Sequence, residues 1–135
     1  MDNLNVSNNF VYFSSKESAV EYFKNAKKPF LIMFYTEWCP DCQEMKIIFE
    51  NIANLYDKQC IFTKVTVDEH PEIGKAFEIR AVPTLFFIFN NFLVDKIVGY
   101  LTELELKNAI NNFLNIIYPP QNNDFSYSKY SKSLV

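Results

Sequence analysis

The chain has 135 residues, 49% of them hydrophobic and 17% aromatic, which suffices for one domain with a true apolar core and argues against wholesale disorder. A net charge of −3 without any basic cluster excludes a nucleic-acid binder that works through a phosphate-facing patch. The polar start MDNLNVSNNF lacks the order of a secretory leader, and the longest apolar run, residues 30–35, is too short to cross a bilayer. A cytoplasmic chain with no membrane attachment is therefore expected.

Residues 1–9 read as a polar N-terminal segment, 10–118 as one domain, and 119–135 as a polar C-terminal tail set off by Pro119 and Pro120. Residues 10–13 predict a short strand. Ser14 with Glu17 three positions on forms a capping box that opens a helix over Ala19, Val20, Tyr22 and Phe23, and Pro29 ends it. The unbroken apolar run 30–35 predicts a central strand covered on both faces. Pro40 then starts a helix in which Met45, Phe49, Ile52 and Tyr56 recur at spacings of three and four.

Residues 61–67 predict a β-branched strand with Ile61, Thr63, Val65 and Val67 on one face. Residues 71–77 suggest a short helix. Residues 84–89 form a second apolar strand, whose Phe86, Phe87 and Phe89 are core material. Asn90-Asn91 is a hairpin turn because Asn tolerates positive φ, and residues 92–98 return antiparallel. Thr102 and Glu105 form another capping box, leading into a helix bearing Leu106, Ile110, Phe113, Leu114 and Ile117. This alternation predicts an α/β fold with a covered, mainly parallel sheet and an antiparallel hairpin at its edge.

Three cysteines cannot all pair, and their uneven spacing does not suit a disulfide-stapled scaffold. In a reducing compartment a Cys-x-x-Cys pair serves redox chemistry or metal binding. The motif Trp38-Cys39-Pro40-Asp41-Cys42 falls where a buried strand gives way to a helix. Unpaired amides and the helix dipole there favour a thiolate on Cys39, the attacking species in disulfide exchange. Cys42, one turn on and deeper, is placed to close a ring with it. Cys60 reads as a small core residue and His70 as a solvated loop residue. A zinc set of Cys39, Cys42, Cys60 and His70 fits by residue type but lacks paired spacing, so no metal is expected.

On these residues the chain resembles a thioredoxin over about 10–117. Glu37-Trp38-Cys39, Lys64, Asp68, Ile79-Arg80-Ala81-Val82-Pro83-Thr84, Gly99 and Leu106 all stand where that family's pattern has them. The resemblance implies a thioredoxin fold, with a central mixed five-stranded sheet flanked by about four helices. It also implies a disulfide reductase working through a mixed disulfide. Cys39 would be the nucleophile and Cys42 the resolving thiol, with Pro40 and Asp41 tuning them. Trp38, Val82 and a cis Pro83 would form the docking surface for substrate, Trp38 also shielding the active sulfur. The implied partners are thioredoxin reductase, or a similar reductant, and disulfide-bearing proteins or small molecules. Electrons would come indirectly from NADPH, with no metal or organic cofactor on the chain, which would act as a monomer.

Three departures stand out. Pro-Asp replaces the usual Gly-Pro between the cysteines, as in thioredoxin-like proteins whose motif reads Trp-Cys-Pro-Asp-Cys, but the insertion expected just before that motif is missing here. Asp41 opposes a second negative charge on Cys39, which implies slower attack on general disulfides near neutrality. Met33 occupies the strand position of a buried Asp and leaves Lys64 without that partner, so water, Asp41 or Glu37 must take the proton of Cys42. Ile47 replaces a kinking proline and implies a straighter helix. The alternative reading is a thioredoxin-fold binding module with weak or no redox activity. A glutathione-fed, glutaredoxin-like enzyme would need a glutathione-gripping pattern after the proline loop, and none is found.

Overall fold

The two apolar runs without polar alternation become the centre of a sheet. In this computed structural model, which describes residues 10–11, 13, 15–119 and 132–133, β2 (Phe30–Tyr35) and β4 (Thr84–Phe89) pair antiparallel with Met33 opposite Leu85. β3 (Ile61–Thr66) runs parallel to β2 on its other side, and β1 (Phe10–Val11) runs parallel to β3. β5 (Phe92–Val98) completes a hairpin with β4. A short β6 (Lys132–Ser133) pairs with Leu93 and Phe92 at the edge. The order is β1-β3-β2-β4-β5-β6, a mixed sheet with the five expected strands and one further edge pairing. The expected polar segment 1–9 and the rest of the expected tail beyond Pro119 lie outside the described residues, as do Tyr12 and Ser14.

The expectation of a mainly parallel sheet needs correction, because β4 is antiparallel to β2. The cause is the shortness of the helix within the connection. The helix α3 (Pro71–Ala76) has six residues and spans only about 9 Å, too little to return along a strand of about 20 Å. The chain therefore re-enters the sheet from the end at which β3 left it. By contrast, the seventeen residues of α2 (Pro40–Tyr56) cover the full return from β2 to β3 and make that pair parallel.

Two layers of helix bury the sheet. Leu31, Met33, Leu85 and Phe87 pack with Met45, Phe49 and Ile52 of α2 and with Leu106, Ile110 and Phe113 of α4 (Glu103–Ile117). Phe30, Ile32, Phe34, Phe86 and Ile88 pack with Ala19 and Phe23 of α1 (Lys16–Asn25) and Ile73 of α3. Edge-to-face ring pairs tie helices to strands, as in Phe87–Phe113 at 5.2 Å and Phe23–Phe30 at 4.8 Å. Each adds about 0.5–1.5 kcal/mol beyond area burial.

The element ends follow local chemistry. The α1 capping box sits one residue later than expected: Ser15 and Ser18 exchange amide-to-hydroxyl bonds of 3.1 and 3.2 Å, so Ser18, not Glu17, closes it. The α4 box is as expected, with Thr102 and Glu105 bonded at 3.0 and 3.2 Å. Asn90 and Asn91 take φ of 53° and 65°, the pair of values a two-residue hairpin of this hand requires. β3 ends at Thr66, although the Val67 amide still donates to the Tyr35 carbonyl at 2.9 Å. Helix α2 runs unbroken through Ile47.

Candidate active site

β2 ends at Tyr35, and four residues later the chain turns into α2. Cys39 is the N-cap, extended at φ −87° and ψ 118°, and Pro40 is the first helical residue, where its missing N–H costs no bond. The Cys42 amide donates to Cys39 Sγ at 3.3 Å. A sulfur thus takes the place of the capping oxygen, and the helix N-terminus favours negative charge on it. Cys39 is 9% exposed and Cys42 fully covered, and both thiols are free. Burial pushes the Cys42 thiol up to about 12. Its hydrogen bond to Cys39 adds to this, the Thr36 backbone works against it, the Cys39 charge raises it further, and the Thr36 hydroxyl lowers it. Cys42 therefore holds its proton far above neutral pH.

The second wall of the site comes from β4. Phe34 near the end of β2 is opposite Thr84 at the start of β4, which places Val82 and Pro83 at the motif end of the sheet. The Val82–Pro83 bond is cis. Two bonds brace this loop: Thr84 Oγ1 donates to the Ala81 carbonyl at 2.7 Å, and the Gly99 amide to the Pro83 carbonyl at 2.8 Å. Val82 packs against the cluster that holds both cysteines. Trp38 is 74% exposed, so its ring offers surface to solvent beside the nearly buried Cys39. Asp41 is exposed on the first turn of α2.

Met33 is fully buried in the cluster that contains Cys42. Lys64 lies opposite Met33 in the register, and its ammonium reaches across to Glu50 of α2, a partner that the sequence did not reveal. The Glu37 carboxylate is held by three groups: Tyr35 Oη donates at 3.5 Å, Gln43 Nε2 at 3.3 Å, and Lys46 Nζ lies at 3.7 Å. Tyr100 Oη donates to Glu44 Oε2 at 2.9 Å. That bond, with burial and the charges of Glu44, Asp41 and Glu105, holds the phenol above its ordinary range. This acidic rim beside the motif was also not foreseen, because Tyr100 and Glu44 are distant in sequence.

Cys60 is 2% exposed at the start of β3, and burial pushes it up to about 12 against the pull of Lys28. His70 stands at the N-cap position of α3 without a side-chain capping bond, its Nδ1 3.8 Å from Glu72 Oε2. Among the described residues no three His, Cys, Asp or Glu side chains could hold a metal ion, so Cys39, Cys42, Cys60 and His70 do not form a zinc set. No helix among them is long and apolar enough to cross a membrane.

A family model described as Thioredoxin matches residues 11–112. The thioredoxin of Buchnera aphidicola subsp. Baizongia pistaciae is 35% identical over 94 residues, covering 70% of this chain and 86% of that one. Mitochondrial thioredoxin 3 from Saccharomyces cerevisiae, solved in its oxidized form, is similar with a TM-score of 0.69 and 25% identity, over 79% of this chain and 98% of that chain. The thioredoxin of Malassezia sympodialis gives 0.66 and 30%, over 75% and 87% of the two chains.

Proposed function

The chain belongs to the thioredoxin family, and on that premise we propose that it reduces disulfides by exchange through Cys39 and Cys42. The observation that carries this reading is the Cys42 amide on Cys39 Sγ at 3.3 Å, with Cys42 itself buried and protonated. In the first step the Cys39 thiolate attacks one sulfur of a substrate disulfide. A Cys39–substrate disulfide forms, and the other substrate sulfur leaves as a thiolate. In the second, Cys42 gives its proton to solvent and attacks Cys39 Sγ. The Cys39–Cys42 bond forms, and the remaining substrate sulfur departs with the electron pair. The protein has then lost two electrons and the substrate has gained them.

Substrate would lie along Trp38, Val82 and Pro83, while Pro40 and Asp41 tune the pair. Re-reduction would fall to a thioredoxin reductase that draws on NADPH. The dithiol carries both electrons, so the exchange itself calls for no metal or organic cofactor. The expected setting is a cytoplasmic monomer acting on protein or small-molecule disulfides.

The test mixes the protein with NADPH and thioredoxin reductase, or with glutathione and its reductase, and offers insulin or cystine. NADPH consumption that depends on thioredoxin reductase and vanishes in Cys39→Ser supports the reading. The absence of a carboxylate at the buried Met33 favours one rival, a binding module without redox turnover. In that case Cys39→Ser would leave partner capture intact and wild-type protein would consume no NADPH.

A further inference from the structure

Thr36 lies between the end of β2 and the motif, and it is 4% exposed. Its Oγ1 is buried and makes no hydrogen bond, to sulfur included, among the described residues of the resting dithiol. A buried hydroxyl without a partner forfeits its bonds to water and calls for an explanation. The group whose ionisation its hydroxyl and backbone favour is the Cys42 thiol. Among the described residues no carboxylate performs that service: Met33 beneath the pair is apolar, Glu37 is engaged by Tyr35, Gln43 and Lys46, Asp41 is exposed, and Glu50 is paired with Lys64. The titratable group that faces Cys42 is Cys39.

Resting on the oxidoreductase reading above, we propose that Thr36 is the positioning residue of the resolving step, its buried hydroxyl donating to the Cys42 sulfur as that sulfur becomes a thiolate. In the resting dithiol, Cys39 competes for the Cys42 proton and repels a second charge. Once Cys39 is bonded to substrate, both effects end. Burial then opposes ionisation of Cys42, and Thr36 is the neighbour that favours it. The Cys42 proton goes to solvent, the hydroxyl keeps its own proton, and the thiolate is held by a charge-assisted bond stronger than a neutral one. Thr36 therefore acts on ionisation and aim, not as a base.

Ellman's reagent separates the two steps, because attack by Cys39 releases one thionitrobenzoate and ring closure by Cys42 releases a second. Stopped-flow traces of the full chain are compared for wild type, Thr36→Val and Thr36→Ser from mildly acidic to alkaline pH. In Thr36→Val the second phase should slow about tenfold, with its pH profile displaced upward and its first phase unchanged. Thr36→Ser should restore both the rate and the profile. Should the valine variant not fold, Thr36→Ala against Thr36→Ser gives the same comparison. An unchanged second phase in the variant without the hydroxyl, or a serine variant no better than it, overturns the role of Thr36 alone. A wild type with no second phase overturns the oxidoreductase reading and this proposal together.

Discussion

The Gly99 amide donates to the Pro83 carbonyl at 2.8 Å from a backbone with φ of 113°, a value that side chains rarely tolerate. This bond ties the end of β5 to the loop proposed to receive substrate. A Cβ at Gly99 would meet nothing within 4 Å, so the cost of substitution is backbone strain and not collision. Gly99→Ala should lose about 1–3 kcal/mol of stability and raise the KM for a protein disulfide more than it lowers kcat. Denaturant midpoints and insulin-reduction kinetics check both.

Gly74 is constrained by space instead. A Cβ there would stand 3.1 Å from Val67 Cγ1 and 3.2 Å from Val67 Cβ, and a β-branched side chain yields poorly. Gly74→Ala should destabilise by about 1–3 kcal/mol while the Cys39 reaction rate stays put. In a double-mutant cycle, Val67→Ala should recover part of the loss.

Asp41 adds negative charge to the first turn of α2, on the rim shared with Glu44, Glu105 and Tyr100. Asp41→Asn should speed attack of Cys39 on the anionic Ellman's reagent by about fivefold at low ionic strength, and by less as salt screens the rim. Stopped-flow rates at low and high salt test the difference.

Cys60 makes stability depend on alkaline pH. Its thiol is raised from 9.0 to about 12 by burial, so between these values the unfolded chain has lost a proton that the native one keeps. Its contribution is fully present below pH 9.0 and is lost as pH rises toward 12, by up to about 4 kcal/mol. Cys60→Ala should flatten that decline, as read from denaturant unfolding along a pH series.

Much of this was legible in the chain because it depends on local pattern. The apolar runs of β2 and β4, the Thr102–Glu105 box and the Asn90-Asn91 turn are settled by near neighbours, as is the cap that joins Cys39 to Cys42. What the sequence withheld depends on distance or competition. The direction of β4 turns on the length of α3 against that of a strand. The start of α1 turns on which of several serines closes the box. The partner of Lys64 sits on another element, and the burial of the Thr36 hydroxyl without a partner exists only in the folded chain.

The most direct test of the central claim is which sulfur reacts first. Reduced protein is treated with a substoichiometric amount of iodoacetamide near neutral pH, and the modified cysteine is located by peptide mass mapping. Carbamidomethyl on Cys39, with Cys42 and Cys60 untouched, is the predicted outcome. Prior labelling of Cys42 or Cys60, or equal labelling of Cys39 and Cys42, would contradict it.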